Sequence, residues 1–171
     1  DKTEESLKKF SKVIIFARNE EGYKKLIKIY SEASVNGFYY TPRVSYKFVK
    51  SLWDDKHLTL CVPFYDSFIF KNVIENYVCV PELDFTTPTF FIEDNGLPFD
   101  KVVEQKVIEY AESKSDLIKT QSIYYKDKKD FLAYLTFRCI NNRSLLEKPN
   151  LEHMCSNEFC LESWKEKNGT V

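Results

Sequence analysis

Apolar positions along the chain follow two alternating rhythms. Lys12–Arg18 reads K-V-I-I-F-A-R, a short β-branched and aromatic run bounded by charge, and predicts a buried strand. Asn19 follows as a helix cap, with Glu20 and Glu21 in the first turn, where the helix dipole favours negative charge. Tyr23, Leu26, Ile27, Tyr30 and Ala33 then recur at helical spacing. They predict an amphipathic helix that packs this stripe inward and stops near Gly37. Phe38–Val44 is an irregular aromatic segment containing Pro42 and Arg43. Ser45–Leu52 reads as a short helix and Leu58–Val62 as a second buried strand.

Phe68–Ile74 fits either a helix or a strand. Tyr77–Val80 reads as a short strand ahead of the Pro- and Thr-containing stretch Pro81–Pro88. Thr89–Glu93 predicts another strand, Asp94-Asn95-Gly96 a turn, and Pro98 the first turn of a helix. In that helix Phe99, Val103, Val107, Tyr110 and Ala111 form the apolar face, reaching about Ser113. Asp116–Thr120 is a strand candidate, Ser122–Asp127 a loop, and Lys128 to about Asn142 a helix. Glu158–Leu161 reads as a short extended piece, with a turn of helix from Ser163. Strands alternating with helices predict an α/β fold with mostly parallel strands. The expected organisation is a polar extension over 1–11, a single α/β domain over 12–164 and a short tail over 165–171.

Composition narrows the function classes. Charged residues make up 30% of the 171 and aromatics 16%, so a ring-rich core with a charged surface is expected. Net charge is -1, without the basic excess that phosphate neutralisation demands of a free-standing nucleic-acid binder. DNA is therefore expected to be met only indirectly. Lys126, Lys128 and Lys129 form a local basic run, read as a solvated loop and helix start. Four glycines and no G-x-G-x-x-G or Walker pattern leave no phosphate-cradling loop. The apolar runs are too short to span a bilayer, and Asp1–Lys9 lacks the apolar stretch of a signal peptide. Five cysteines without a C-x-x-C pair point to reduced thiols and a cytoplasmic setting.

Candidate chemistry is sparse. His57 and His153 are too few to build a two-metal hydrolytic site and read as surface or capping residues. His153, Cys155 and Cys160 make an H-x-C-x4-C cluster that lacks a fourth zinc ligand. Glu93 and Asp94, at the end of a strand, have the types of a metal pair. Acidic residues also serve strand-to-turn geometry, and that structural role is the expectation. No nucleophile elbow occurs. No cofactor is expected.

Three stretches in order carry a resemblance. They are Val13–Val44 (V-I-I-F-A-R-N-E-E-G-Y through G-F-Y-Y-T-P-R-V), Phe91–Pro98 (F-I-E-D-N-G-L-P) and Ser156–Ser163 (S-N-E-F-C-L-E-S). Together they resemble the PHP domain (polymerase and histidinol phosphatase domain) of the alpha subunit of bacterial, C-family DNA polymerase III. The resemblance runs from about Lys12 to Trp164 and is loose between Ser51 and Thr89. It implies a partial or distorted (β/α)7 barrel of about seven strands, with metals held at strand C-termini in active members. The family's opening H-x-H motif has no counterpart here. Its later D-x-H motif falls where this chain has Ser122-Ile123-Tyr124, so Ser122 and Tyr124 mark degenerate metal positions. A hydroxyl and a phenol are protonated, weak donors to a divalent metal.

The resemblance therefore implies a non-catalytic, structural or docking element of DNA replication. Its partners would be the remainder of a DNA polymerase or a proofreading exonuclease. The alternative is a metal-dependent phosphoesterase or exonuclease of the PHP superfamily. An N-terminally incomplete barrel would leave an open sheet edge and invite self-association. The lysine- and aromatic-rich, glycine-poor style suits a phage or a low-GC bacterium.

Overall fold

A computed structural model describes residues 10–77, 80–111, 115–147 and 156–169. The element order is β1 (Ile14–Ala17), α1 (Glu20–Val35), α2 (Tyr46–Leu52), β2 (Leu58–Val62), α3 (Phe68–Ile74), β3 (Thr89–Ile92), α4 (Asp100–Ala111), β4 (Asp116–Lys119), a 3-10 turn (Lys128–Asp130), α5 (Phe131–Asn142) and α6 (Leu161–Asn168). The strands form one mostly parallel four-stranded sheet in the order β1-β2-β3-β4. By contact density the chain divides into two units, Asp1–Phe91 with Gln105–Ile118, and Ile92–Glu104 with Lys119–Val171.

Connectivity sets strand direction. One crossover helix, α3, returns the chain to where it started, so β2 and β3 run parallel, with Cys61 facing Thr89. Two helices, α1 and α2, separate β1 from β2. The chain reverses once more, and β1 pairs antiparallel, with Ile14 opposite Cys61 and Ala17 opposite Leu58. The first strand thus departs from the parallel expectation.

In the first unit, Asn19 caps α1 by accepting from the Gly22 N–H at 3.0 Å. His57 Nδ1 lies 2.9 Å from the same oxygen, so His57 is a capping partner. The inward face of α1 is Gly22, Ile29 and Ala33, with Leu26 packed against the cluster of Ile29, Val49 and Leu58. This corrects the expected stripe. Tyr23, Ile27 and Tyr30 are 61%, 49% and 69% exposed. The reason is a close approach: Gly22 sits against the His57 carbonyl, which fixes the roll of the helix and turns the neighbouring row outward. At the other end Gly37 sits against the Arg43 carbonyl in the same way.

Phe68–Ile74 resolves as helix because Ser67 caps it, accepting from the Phe70 N–H at 3.2 Å. Tyr77 and Val80 lie outside any strand, and the residues between them are not among those described. The Phe10 ring centre lies 4.3 Å from the Arg43 guanidinium and 4.6 Å from the Lys71 ammonium. Arg43 also lies over Tyr39 at 5.3 Å and Lys71 over Tyr77 at 4.9 Å. On α4, Val103, Val107 and Ala111 are buried as the periodicity predicts. The Tyr110 ring meets Phe68 and Phe90 edge-on at 5.0 and 5.6 Å. Phe99 is half-buried and Tyr110 40% exposed, so the buried face is narrower than the apolar one.

In the second unit, residues 124–126 run beside 159–162. Tyr124 N–H donates to the Phe159 carbonyl, and the Leu161 and Glu162 N–H groups donate to the Tyr125 and Lys126 carbonyls. The expected extended piece at Glu158–Leu161 contracts to a parallel bridge between Tyr125 and Cys160. The final helix is longer than one turn because Cys160 caps it, its Sγ accepting from the Ser163 N–H at 3.4 Å.

Candidate functional site

The polar cluster of the second unit begins where β3 stops. Thr120 N–H donates to the Ile92 carbonyl at 2.9 Å. Glu93 follows and is 6% exposed. A buried carboxylate needs donors for its oxygens. Here Oε2 accepts from the Ser122 N–H at 2.6 Å and from Asn95 Nδ2 at 2.9 Å, while Oε1 accepts from Ser122 Oγ at 2.9 Å. Glu93 thereby ties the end of β3 to the chain leaving β4.

Asp94 turns the other way. It is exposed, its Oδ1 accepts from the Gly96 N–H at 3.2 Å, and its carbonyl accepts from Lys167 Nζ at 2.7 Å. The two carboxylates are not brought together, because consecutive residues leave an extended strand on opposite sides. The Asp94-Asn95-Gly96 turn is present as read. It is gathered by Asp100, 2% exposed, whose Oδ2 accepts from the Asn95 and Leu97 N–H groups at 2.9 and 3.0 Å. Ser156 Oγ donates to the Asn95 carbonyl, and Gln121 Nε2 to the Glu158 carbonyl at 2.6 Å.

Ser122 is therefore a partner of Glu93. Tyr124 is stacked, its ring 5.4 Å from Tyr134 at 6° and 5.5 Å from Phe159 at 29°. Desolvation pushes the Tyr124 phenol above the ordinary tyrosine value, opposed by a hydrogen bond with Ser122. Desolvation likewise raises Tyr125 to about 12, reinforced by the nearby Cys160 thiol, Tyr134 and Glu158. Both phenols stay neutral over the physiological range, and a neutral phenol is a poor metal ligand.

The basic run is consumed internally in part. Lys128 Nζ pairs with Glu166 at 2.5 Å and with Glu158 at 3.7 Å, and Lys129 with Asp127 at 3.6 Å. Of the H-x-C-x4-C cluster, Cys160 is buried as a helix cap, and His153 and Cys155 lie outside the described residues. Among the described residues, no three His, Cys, Asp or Glu side chains gather where they could hold a metal. No helix among them is long and apolar enough to cross a membrane.

Sequence reading missed Asn95, Asp100, Gln121 and Ser156 as members of this cluster. Asp100, following D-N-G-L-P-F at the helix start, carried the one local signal, an acidic residue placed to accept from a turn. Gln121 meets Glu158 across 37 positions and Ser156 meets Asn95 across 61, distances that no local pattern reports.

No family model matches the chain. It is similar to three proteins named DNA polymerase III subunit alpha. The first, from Treponema pallidum, is 27% identical over 172 residues, covering 95% of this chain. Those from Aquifex aeolicus and Borreliella burgdorferi are 27% and 26% identical over 85% and 90% of it. The chain spans 15%, 13% and 14% of the length of these curated relatives.

Proposed function

We propose that this chain is a non-catalytic element of a DNA polymerase III alpha-type replicase, serving DNA replication as a structural or docking part. Residues 12–164 would form a PHP-type α/β domain whose metal chemistry has been replaced by hydrogen bonding. The observation that carries the replicative reading is the similarity to polymerase III alpha subunits along 85–95% of the chain. The site supports the non-catalytic part. Both oxygens of Glu93 are taken up by Ser122 and Asn95, so this carboxylate braces a loop. Ser122 and Tyr124 present a hydroxyl and a phenol where the resemblance implies metal ligands.

Elemental analysis of protein purified without chelator tests this. The expected result is sub-stoichiometric zinc, manganese and magnesium. A tightly bound pair of metal ions per chain would overturn the non-catalytic reading and favour the phosphoesterase alternative.

A further inference from the structure

Helix α5 carries a single charged residue, Arg138, between Phe131 and Asn142. Leu135 and Cys139 are buried, yet Leu132, Phe137 and Ile140 are 60%, 68% and 72% exposed. A helix apolar nearly all round is ordinarily covered on every side. Exposed, contiguous apolar surface marks an association site. Ala133, Thr136, Phe137 and Ile140 recur at helical spacing and are all exposed, so they form one outward face.

We propose that this face seats α5 of a second copy of the chain, antiparallel, about a two-fold axis near Thr136 and Phe137. That arrangement sets each large side chain on a small one, Phe137 over Thr136 of the second copy and Ile140 over Ala133. Such large-on-small contact is what close helix packing requires. The charges also fit. Asp130 stands before the first turn of α5 and Arg143 follows its last. Antiparallel pairing brings the acidic end of each helix to the basic end of the other, and the dipoles oppose favourably. No charge falls on the face between them, so no like charges are buried together. A second exposed stripe, Tyr23, Ile27 and Tyr30 on α1, is bordered by an ion-paired cluster in which Lys24 lies 3.1 Å from Glu20 and 2.8 Å from Glu21, so charge flanks it where the α5 face has none.

The proposal is independent of the polymerase reading. Its test is sedimentation velocity of the intact chain over a concentration series, with Phe137→Glu and, as control, Tyr30→Glu. Both substituted residues are largely exposed, so neither change should unfold the chain. The expected result is a monomer–dimer equilibrium whose midpoint moves about tenfold or more to higher concentration in Phe137→Glu. Tyr30→Glu should behave as the parent. A parent chain that stays monomeric overturns the proposal, including the case where a polymerase segment covers α5 instead. So does a dimer that is indifferent to Phe137→Glu or lost in Tyr30→Glu.

Discussion

Gly22→Ala and Gly37→Ala are each expected to destabilise the chain by about 3 kcal/mol or more. At both positions an added methyl would overlap a backbone carbonyl, that of His57 and that of Arg43. Backbone cannot rotate away as a side chain can. At Gly22, relief requires α1 to move off the residues entering β2. That move would strain the Arg18 N–H bond to His57 at 2.8 Å and the Asn19 cap. At Gly37, relief requires the 37–43 loop to open, and with it the Arg43 N–H bond to the Ala33 carbonyl. For a chain of this size the melting temperature should fall by about 6–12 °C. Thermal unfolding followed by circular dichroism measures it. Glycine-to-alanine changes that leave the transition in place would show that these close approaches do not exist.

Val107→Asp should have an effect of the same order for a different reason. Val107 is 1% exposed on α4, one turn from Val103 at 0% and from Ala111 at 3%. A carboxylate there loses its water and gains no designed partner, at a cost of about 3 kcal/mol or more. Ile108→Asp is the matched control. Ile108 is 41% exposed, so its change should stay within about 0.5 kcal/mol. Equal melting temperatures for the two variants would mean that the buried face of α4 has been misassigned.

Local chemistry made much of the fold legible. Asn19 was legible as the cap of α1, whereas the apolar run Phe68–Ile74 left helix and strand open until the Ser67 cap decided it. Where tertiary contact decided the outcome, pattern alone misled. The α1 stripe counted Tyr23, Ile27 and Tyr30 as core, although the Gly22 approach rolls them to the surface. The direction of β1 depended on two intervening helices, which alternation by itself does not register. In the motif A-R-N-E-E-G-Y to G-F-Y-Y-T-P-R, which carried the resemblance, packing accounts for two positions. Its two glycines are the positions where carbonyls crowd in. In the candidate site, Glu93 was legible as a strand-end carboxylate, and its oxygens accept from Ser122. Its partner Ser122 was singled out for a different reason. That Ser122 would fill both oxygens of Glu93 required the fold.

The most direct test of the account is whether the chain binds a polymerase. The probe is a purified DNA polymerase III alpha-type chain from the same source, lacking the segment that this chain matches. Isothermal titration reads the interaction, with one site per chain predicted. The expected result is a saturable complex that forms without added metal and survives Glu93→Gln, whose amide oxygen can stand at Oε2 and still accept from Ser122 N–H and Asn95 Nδ2 while its NH2 donates to Ser122 Oγ. Failure of the parent chain to bind at any concentration reached would contradict the docking role.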